Sequence, residues 1–310
     1  MELIRGLHNL RALHRGCVAT IGNFDGVHLG HQAVLGQLAE RAAQLHLPTC
    51  VILFEPHPRE LFAPESAPPR LSRLREKLEA LRRFSVDRVL CIRFTREFAA
   101  WSATRFVEQV LAQQLGVRYL VVGDDFRFGQ GRAGDFALLQ REGARLGFQV
   151  SHMPSFFIDG IRVSSTAIRE ALMAGQLQRA EQLLGRSYRL SGRVAHGEKR
   201  GRQLGFPTAN VYLHRRTVPL RGVFAVEVFG VAEEPRPGVA NIGTRPTVNG
   251  AGVLLEVHLL DFTGDLYGRH LQVALRAKLR DEAKFPALDA LKAQIARDAD
   301  MARAVFDTLR

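Results

Sequence analysis

Residues 17–31 read CVATIGNFDGVHLGH, and the architecture of the first part of the chain can be inferred from this segment. CVATI is a short apolar run of the kind that forms a buried strand, and a glycine-rich turn with two histidines follows it. A strand that leads through such a turn into a helix presents backbone N–H groups and the positive end of a helix dipole. We therefore expect an anion site here, with His28 and His31 on one face of the first helical turn.

Similar apolar runs recur at 49–54, 88–94, 118–123 and 148–153, with longer amphipathic stretches between most of them. This alternation predicts a parallel sheet with helices on both faces. Ligands of such sheets bind at the carboxyl ends of the strands, near the point where the strand order reverses. Several polar motifs of this sequence follow the carboxyl ends of these predicted strands.

The second part of the chain has a different pattern. Strand-like runs within 192–213, 222–231, 254–262 and 270–279 are separated by Gly, Pro and Asn, which predicts an antiparallel barrel or a sandwich. Apolar residues at helical spacing from Leu288 to Leu309 predict a helix that covers one side of it. We place the boundary near Leu184, which gives domains of 1–184 and 185–310.

Composition limits the class of protein. The chain has 310 residues, 46% of them hydrophobic, and a net charge of +12, which favours phosphorylated ligands or polyanions. Because the arginines are spread along the chain instead of forming a stripe, nucleic-acid binding is a minority hypothesis and we expect no nucleic-acid partner. The sequence also predicts no membrane span and no signal peptide. Three cysteines, an odd number in apolar runs, suit buried thiols in the cytoplasm.

The histidine pair has several possible meanings. Most such histidines are ordinary surface or core residues, and a zinc site is the next alternative. A third ligand at a usual zinc spacing is missing from the sequence nearby. Two imidazoles at a helix start can instead donate hydrogen bonds to a polyphosphate, where negative charge grows during an in-line displacement.

Four motifs narrow this choice: GNFDGVHLGH (22–31), FEPHP (54–58), GDDFRFG (123–129) and VSSTAIR (163–169). Together they resemble the FMN adenylyltransferase module of the bifunctional bacterial riboflavin kinase/FAD synthetase family. The resemblance implies a Rossmann-like nucleotidyltransferase domain, in which His28 and His31 hold the ATP phosphates. It also implies a nucleotide loop with Gly22, Asn23 and Asp25, a flavin-facing loop with Asp125, Phe126 and Phe128, and a second phosphate clamp of Ser164, Ser165, Thr166 and Arg169.

A second site is predicted in the later domain. GRVAHGEKRGRQLGFPTAN (192–210) is a basic loop whose glycines, Gly192, Gly197, Gly201 and Gly205, would let it wrap phosphates. A flexible, charged hairpin is the plain alternative, and the loop lacks the ending of a Walker A motif. Thr208 and Asn210, two apart on a presumed strand, offer oxygen ligands suited to Mg²⁺. Glu256 lies on another strand as a candidate general base, although a surface glutamate is common there.

GFPTAN, NIGTRPT and EVHLLDF, with the tail 279–298, resemble the riboflavin kinase module of the same family. The resemblance implies a small antiparallel barrel with a closing helix. It further implies that Thr208 and Asn210 hold Mg²⁺ and that Glu256 activates the ribityl 5′-hydroxyl. Phe224 departs from the tyrosine that the family often has, which leaves a phenol contact in question.

The resulting hypothesis is a bifunctional enzyme with riboflavin, FMN, FAD and ATP as its small-molecule partners. Riboflavin and ATP give FMN, and FMN and ATP give FAD with pyrophosphate. One alternative is a different nucleotidyltransferase whose barrel only binds a ligand. Another is a basic RNA-binding or regulatory protein that has kept the folds and lost the chemistry. The sequence does not identify protein partners.

Overall fold

The computed structural model describes residues 1–196, 205–215, 217–247 and 250–308, and the side chains in those ranges except at 244–247, 250 and 251. The chain divides into two compact units. The first unit contains Met1–Pro68 and Arg73–Ser164, and the second contains Pro69–Ser72 and Ser165–Arg310.

The first unit is built on a six-stranded sheet in which all neighbouring strands are parallel. Its strands are β1 (Glu2–Arg5), β2 (Cys17–Ile21), β3 (Thr49–Glu55), β4 (Arg88–Arg93), β5 (Val117–Gly123) and β6 (Gln149–Met153). Alternate residues of β2 enter opposite cores: Cys17 and Ala19 pack on one face, and Val18 packs on the other. Both faces of the sheet are therefore covered, which confirms the predicted doubly wound arrangement.

The helices of this unit lie between the strands. They are α1 (Leu29–Leu45), α2 (Pro58–Phe62), α3 (Leu74–Leu81), α4 (Arg96–Ala99), α5 (Ala103–Phe106), a π-helical turn (Val107–Gln114) and α6 (Phe136–Leu146), followed by a hairpin of β7 (Phe157–Ile158) and β8 (Ile161–Arg162). The strand order is β1-β4-β3-β2-β5-β6, so the chain moves outward from β2 in one direction and returns to its other side with β5. This reversal places a crevice at the carboxyl ends of β2 and β5.

The three cysteines are free and buried within this sheet. A hydrogen bond with the Cys17 thiol and burial together raise the pKa of Cys50 well above its ordinary value. Such a thiol stays protonated at neutral pH and is a poor nucleophile. The cysteines therefore serve as small core side chains.

The second unit is a closed barrel, which decides between the two predicted all-β arrangements. Its strands are β9 (Arg189–Ala195), β10 (Ala209–Tyr212), β11 (Gly222–Phe229), β12 (Arg236–Thr247), β13 (Gly250–Leu259) and β14 (His270–Arg280), in the order β10-β13-β12-β11-β14-β9. All of the neighbouring pairs are antiparallel. Phe224 is fully buried, so its ring serves as core packing.

Two helices precede the barrel and belong to the same compact unit: α7 (Ser165–Met173) and α8 (Leu177–Leu184). Helix α8 buries Ala180 and Leu183 and packs against β14. The compact division consequently falls between Ser164 and Ser165, ahead of the boundary at Leu184 that the sequence predicts. The predicted boundary between the two functional domains stays a prediction.

The predicted closing helix is α9 (Leu288–Asp307). Ala299 and Ala302 pack with Val223 and Val239 of the barrel. Asp298 is 2% exposed, and its carboxylate accepts hydrogen bonds from Arg280 Nε at 2.9 Å and Nη2 at 2.8 Å. This ion pair fastens α9 to the end of β14. Leu309, part of the predicted apolar pattern, lies outside the described residues.

Candidate active sites

The loop that follows β2 is a tight turn against the neighbouring strand. Gly22 N donates to Ile52 O at 3.1 Å, which holds the start of the loop on β3. Phe24, Gly26 and Val27 then have φ values of 47°, 84° and 44°. Glycine adopts this left-handed region at no steric cost, whereas Phe24 and Val27 are held there by burial at 2% and 0% exposure. The loop is therefore preformed.

His28 ends this loop and is the N-cap of α1. Its Nδ1 accepts a hydrogen bond from His31 N at 3.3 Å, and the two imidazole rings stack with centroids 3.6 Å apart. Phe24 packs against His31 at a centroid distance of 4.8 Å. Since Nδ1 of His28 is the acceptor in the cap, the neutral ring carries its proton on Nε2. The structure thus brings together the two histidines that the sequence predicts, at the positive end of a helix dipole.

The other predicted residues of the nucleotide loop lie in the same turn. Asp25 is 5% exposed and Asn23 is half-buried. A Cβ at Gly30 would lie 3.3 Å from Nδ1 of His28 and 3.5 Å from Val163 O, so glycine permits a close approach of the chain here. Ser164 follows Val163 directly, which brings the start of the VSSTAIR motif beside the first turn of α1.

The residues predicted to form a second phosphate clamp are assigned to different compact units. Ser164 belongs to the first unit, and Ser165, Thr166 and Arg169 belong to the second, where Ser165 begins α7. Arg169 is 9% exposed, and its Nε donates to Pro69 O at 2.7 Å. A joint action of these residues on phosphate stays a prediction.

The loop after β5 carries a network that sequence reasoning missed. Asp124 accepts hydrogen bonds from Ser155 N at 3.1 Å and Ser155 Oγ at 2.9 Å, and Arg162 Nη2 lies 2.7 Å from Asp125 Oδ2. Partial burial raises the pKa of Asp124. The hydrogen bonds from Ser155 and the charge of Arg162 lower this pKa by more, so the net shift is downward. Ser155 and Arg162 therefore fix the acidic pair at the end of β5.

The aromatic residues of the predicted flavin loop differ in environment. Phe126 and Phe128 stack at a centroid distance of 5.5 Å. Phe128 is 8% exposed and belongs to the sheet core beside Phe106, whereas Phe126 is only partly buried against that core. Of the two rings, Phe126 is the better placed to meet a ligand.

The FEPHP motif lies at the end of β3. His57 is the N-cap of α2, and its Nδ1 accepts from Arg59 N at 3.2 Å. Glu55 forms an ion pair with Lys77 of α3, and Lys77 is 4% exposed. The charged composition of the stretch RLREKLEALRR (73–83) is typical of a solvated helix surface, but Lys77 within it is buried.

The second unit carries the other predicted site on β10 and β13. Asn210 lies directly opposite Glu256 in the antiparallel register, so the two side chains project from the same face of the barrel. Asn210 is 8% exposed, Glu256 is half-buried, and Thr208 is exposed just before β10. The structure thus brings the predicted base beside one of the two predicted Mg²⁺ ligands.

The predicted phosphate-loop glycines have separate explanations. A Cβ at Gly192 would collide with Tyr212 O and lie 2.8 Å from Val211 Cγ1, so Gly192 lets β9 and β10 approach each other. Gly205 has a φ of 86°, and a Cβ added there would meet no described atom within 4 Å, as expected for an exposed turn. Gly197 and Gly201 lie outside the described residues.

The oxygen ligands around Asn210 fit a magnesium ion. Within the described part of the chain, no group of three or more His, Cys, Asp or Glu side chains is arranged for a metal. Mg²⁺ takes oxygen ligands and usually keeps several waters and substrate phosphates, so the neutral oxygens of Thr208 and Asn210 could supply part of its shell.

Among the described helices, none is long and apolar enough to cross a bilayer.

The predicted residues of one phosphate site lie at the parallel sheet and those of a second lie on the barrel, as expected for a bifunctional transferase. Family models agree with this class: that for FAD synthetase matches residues 10–167, and that for riboflavin kinase matches residues 184–306. The chain belongs to the family of bifunctional riboflavin kinase/FMN adenylyltransferases.

Relatives in this family match over nearly their whole length. The bifunctional riboflavin kinase/FMN adenylyltransferase of Escherichia coli (strain K12) is 57% identical over 307 residues, covering 99% of this chain and 98% of the relative. That of Pseudomonas fluorescens is 56% identical and covers 98% of each. A crystal structure described as a macrolide-efflux protein from Streptococcus pneumoniae has a TM-score of 0.83 and 28% identity, covering 98% of this chain and 99% of that one. The family matches confirm the predicted pair of activities.

Proposed function

We propose that the chain makes FAD from riboflavin in two ATP-dependent steps at two separate sites. The site on the barrel phosphorylates riboflavin to FMN, and the site at the parallel sheet adenylylates FMN to FAD and releases pyrophosphate. The stacked pair of His28 and His31 at the start of α1 is the observation that supports the adenylyl transfer. The opposed pair of Asn210 and Glu256 supports the phosphoryl transfer.

In adenylyl transfer, a phosphate oxygen of FMN attacks the α-phosphorus of ATP and pyrophosphate leaves. Negative charge grows on the departing phosphate, so donors fixed beforehand near that position lower the barrier. His28 presents an Nε2–H because its Nδ1 is engaged in the helix cap. His31 is held beside it by stacking. Gly22, Asn23 and Asp25 complete the nucleotide loop, and Asp125 and Phe126 are assigned to the flavin. Phe128, predicted with them, stacks on Phe126 from the core.

In phosphoryl transfer, Glu256 removes the proton of the ribityl 5′-hydroxyl as the oxygen attacks the γ-phosphorus of ATP. Thr208 and Asn210 hold Mg²⁺, which neutralises phosphate charge when bound. Gly197, Gly201 and Gly205 belong to the segment that we assign to phosphate binding, whereas Gly192, predicted with them, lies in β9. Ser164, Ser165, Thr166 and Arg169 are assigned to the phosphates of the adenylylation site.

We assign the enzyme to the cytoplasm, which the three free, buried cysteines support. Its proposed partners are riboflavin, FMN, FAD and ATP.

The decisive experiment incubates the full chain with riboflavin, ATP and Mg²⁺ and separates the flavins by chromatography. We expect FMN to appear first and FAD to follow, and we expect neither without Mg²⁺. A second incubation with FMN in place of riboflavin should give FAD directly. If FMN is made and is not adenylylated, the assignment of the first unit is wrong; if added FMN gives FAD but riboflavin is unchanged, the assignment of the second unit is wrong.

A further inference from the structure

A row of three polar side chains crosses the barrel at β10, β13 and β12. Asn210 and Asn241 each lie directly opposite Glu256, one from either side. Residues in such positions project to the same face, with neighbouring Cβ atoms about 4.5–5.5 Å apart. Leu255 and Val257, the neighbours of Glu256 along β13, are 0% and 1% exposed in the barrel interior. The polar row therefore stands on the outer face of the barrel.

The side-chain oxygen of Asn241 lacks a hydrogen-bond donor among the described residues. Its Oδ1 is buried, and within the described part of the chain this atom has no hydrogen-bond partner. Buried carbonyl oxygens are normally paired, because leaving one unpaired costs free energy. An acceptor of this kind next to a proposed catalytic base indicates that a ligand supplies the donor.

The position of Asn241 is fixed by its other neighbour. Val223 lies opposite Asn241 on β11, is 4% exposed, and packs with Ala299 and Ala302 of α9. One side of Asn241 is therefore closed by the helix, and the other side faces Glu256. Asn241 and Glu256 thus occupy directly opposed positions on neighbouring strands.

We propose that Asn241 Oδ1 accepts a hydrogen bond from the ribityl 4′-hydroxyl of riboflavin while Glu256 engages the 5′-hydroxyl. The inference rests on the proposed riboflavin kinase function and names a substrate contact within it. Hydroxyls on adjacent carbons of a polyol present two donors side by side, which matches two neighbouring acceptors. Asn241 then determines specificity, because it requires a hydroxyl beside the one that reacts.

The test is a double-mutant cycle on the full chain, in which one change removes the Asn241 side-chain amide and the other removes one hydroxyl from the substrate. Wild type and Asn241→Leu are compared on riboflavin and on the riboflavin analogue that lacks only the 4′-hydroxyl, with kcat/KM of phosphorylation as the readout. We expect the wild type to lose about 10- to 100-fold on the analogue, since a buried acceptor then loses its donor. Asn241→Leu should be reduced by a similar factor on riboflavin and should lose nothing further on the analogue.

The matched control is Gln37→Leu, which removes another buried, unpartnered side-chain carbonyl in the first unit. It should keep the full preference for riboflavin over the analogue. FMN adenylylation by Asn241→Leu reports whether the first unit is intact, and circular dichroism with thermal unfolding reports on the barrel. If Asn241→Leu does not fold, Asn241→Ala is judged by the same ratio.

The proposal is overturned if an Asn241 variant discriminates between the two flavins as strongly as the wild type. It is equally overturned if the wild type uses both flavins alike. Failure of the proposed function itself gives a different result, because the wild type would then phosphorylate neither flavin. Glu256→Gln separates the two roles further, since it should slow both flavins and keep their ratio.

Discussion

The Lys77 ammonium lies 3.5 Å from a carboxylate oxygen of Glu55, and the two side chains are 5% and 18% exposed. This ion pair joins α3 to the carboxyl end of β3, the edge of the sheet at which the nucleotide loop also lies. Removing one member of a buried pair costs more than the pair contributes, because the remaining charge stays poorly solvated.

We expect Lys77→Met to lower the free energy of unfolding of the first unit by about 3 kcal/mol. Urea should then abolish FMN adenylylation at a lower concentration than riboflavin phosphorylation in the same sample. Arg75→Met is the control on the same helix, since the pair of Arg75 and Glu79 is exposed and should contribute less than about 1 kcal/mol. Equal effects of the two variants would show that burial of Lys77 has no energetic consequence.

His28 has a structural role and a proposed chemical role, and two variants separate them. His28→Ala removes both, and losing an N-cap costs about 1 kcal/mol. His28→Asn keeps a good N-cap residue but removes the imidazole. We expect both variants, and His31→Ala, to abolish FAD formation while FMN still accumulates from riboflavin, with His28→Asn retaining near wild-type thermal stability. A His28→Asn enzyme with normal FAD synthesis would reduce His28 to a helix cap.

Glu256→Gln keeps the shape of the side chain but removes its basicity. We expect FMN formation to fall by roughly 10²- to 10⁴-fold, the usual effect of losing acid-base catalysis. FAD formation from added FMN should continue at a near wild-type rate, which serves as the internal control for folding. Normal phosphorylation of riboflavin by this variant would require a different base.

Fragments of the second unit test where the kinase domain begins. A chain of 165–310 keeps α7 and α8, whereas a chain of 185–310 exposes the surface of β14 that α8 covers. We expect both fragments to phosphorylate riboflavin and the longer one to have the higher melting temperature. Arg215 Nη1 donates to the carbonyls of Arg70 and Leu71 at 2.9 and 3.3 Å, so both fragments should be less stable than the full chain. An inactive shorter fragment would move the boundary of the kinase domain to Ser165.

The lowered pKa of Asp124 predicts an acid-sensitive contribution to the stability of the first unit. A carboxylate whose pKa is lower in the folded state stabilises the fold above its ordinary pKa of about 3.9, and this contribution is lost as the pH falls through the lowered value. Ser155→Ala should therefore destabilise the unit at pH 7, by less than about 1 kcal/mol because the Asp124 side chain is 40% exposed. Denaturation curves of Ser155→Ala and wild type should converge in strong acid. Ser66→Ala, an exposed control, should match the wild type at every pH.

The strand of CVATI and the helix that follows it could be predicted because apolar pattern, glycines and capping agree there. The structure has β2 at Cys17–Ile21 and α1 beginning at Leu29, directly after His28. Strand β12 (Arg236–Thr247) was not predicted, because Pro237, Gly238, Gly243 and Pro246 give the segment the composition of a turn. Its pairing with β11 and β13 over many residues overrides that local preference.

Several residues of the candidate sites could not be predicted, because their roles depend on contacts between segments that are far apart in the sequence. Ser155 meets Asp124 because β5 and β6 are neighbours, and Arg162 reaches Asp124 from β8. Asn241 is the first residue of the NIGTRPT motif, which the sequence analysis identifies. The burial of its Oδ1 and its position opposite Glu256 depend on the folded structure and could not be predicted from the motif. Motif chemistry is local and can be read from the sequence, whereas the partners of a side chain are set by topology.

Among the residues that the structure describes, the barrel has no edge strand, whereas the six-stranded parallel sheet has two. β9 pairs with β10, so each strand of the barrel has two hydrogen-bonded neighbours. The parallel sheet ends at β1 and β6, each of which has a single neighbouring strand in the described chain. An unpaired strand edge is a template on which a second molecule can add a strand. When the concentrated enzyme is partly unfolded, intermolecular aggregation should therefore begin in the first unit, and the barrel should remain the last soluble part.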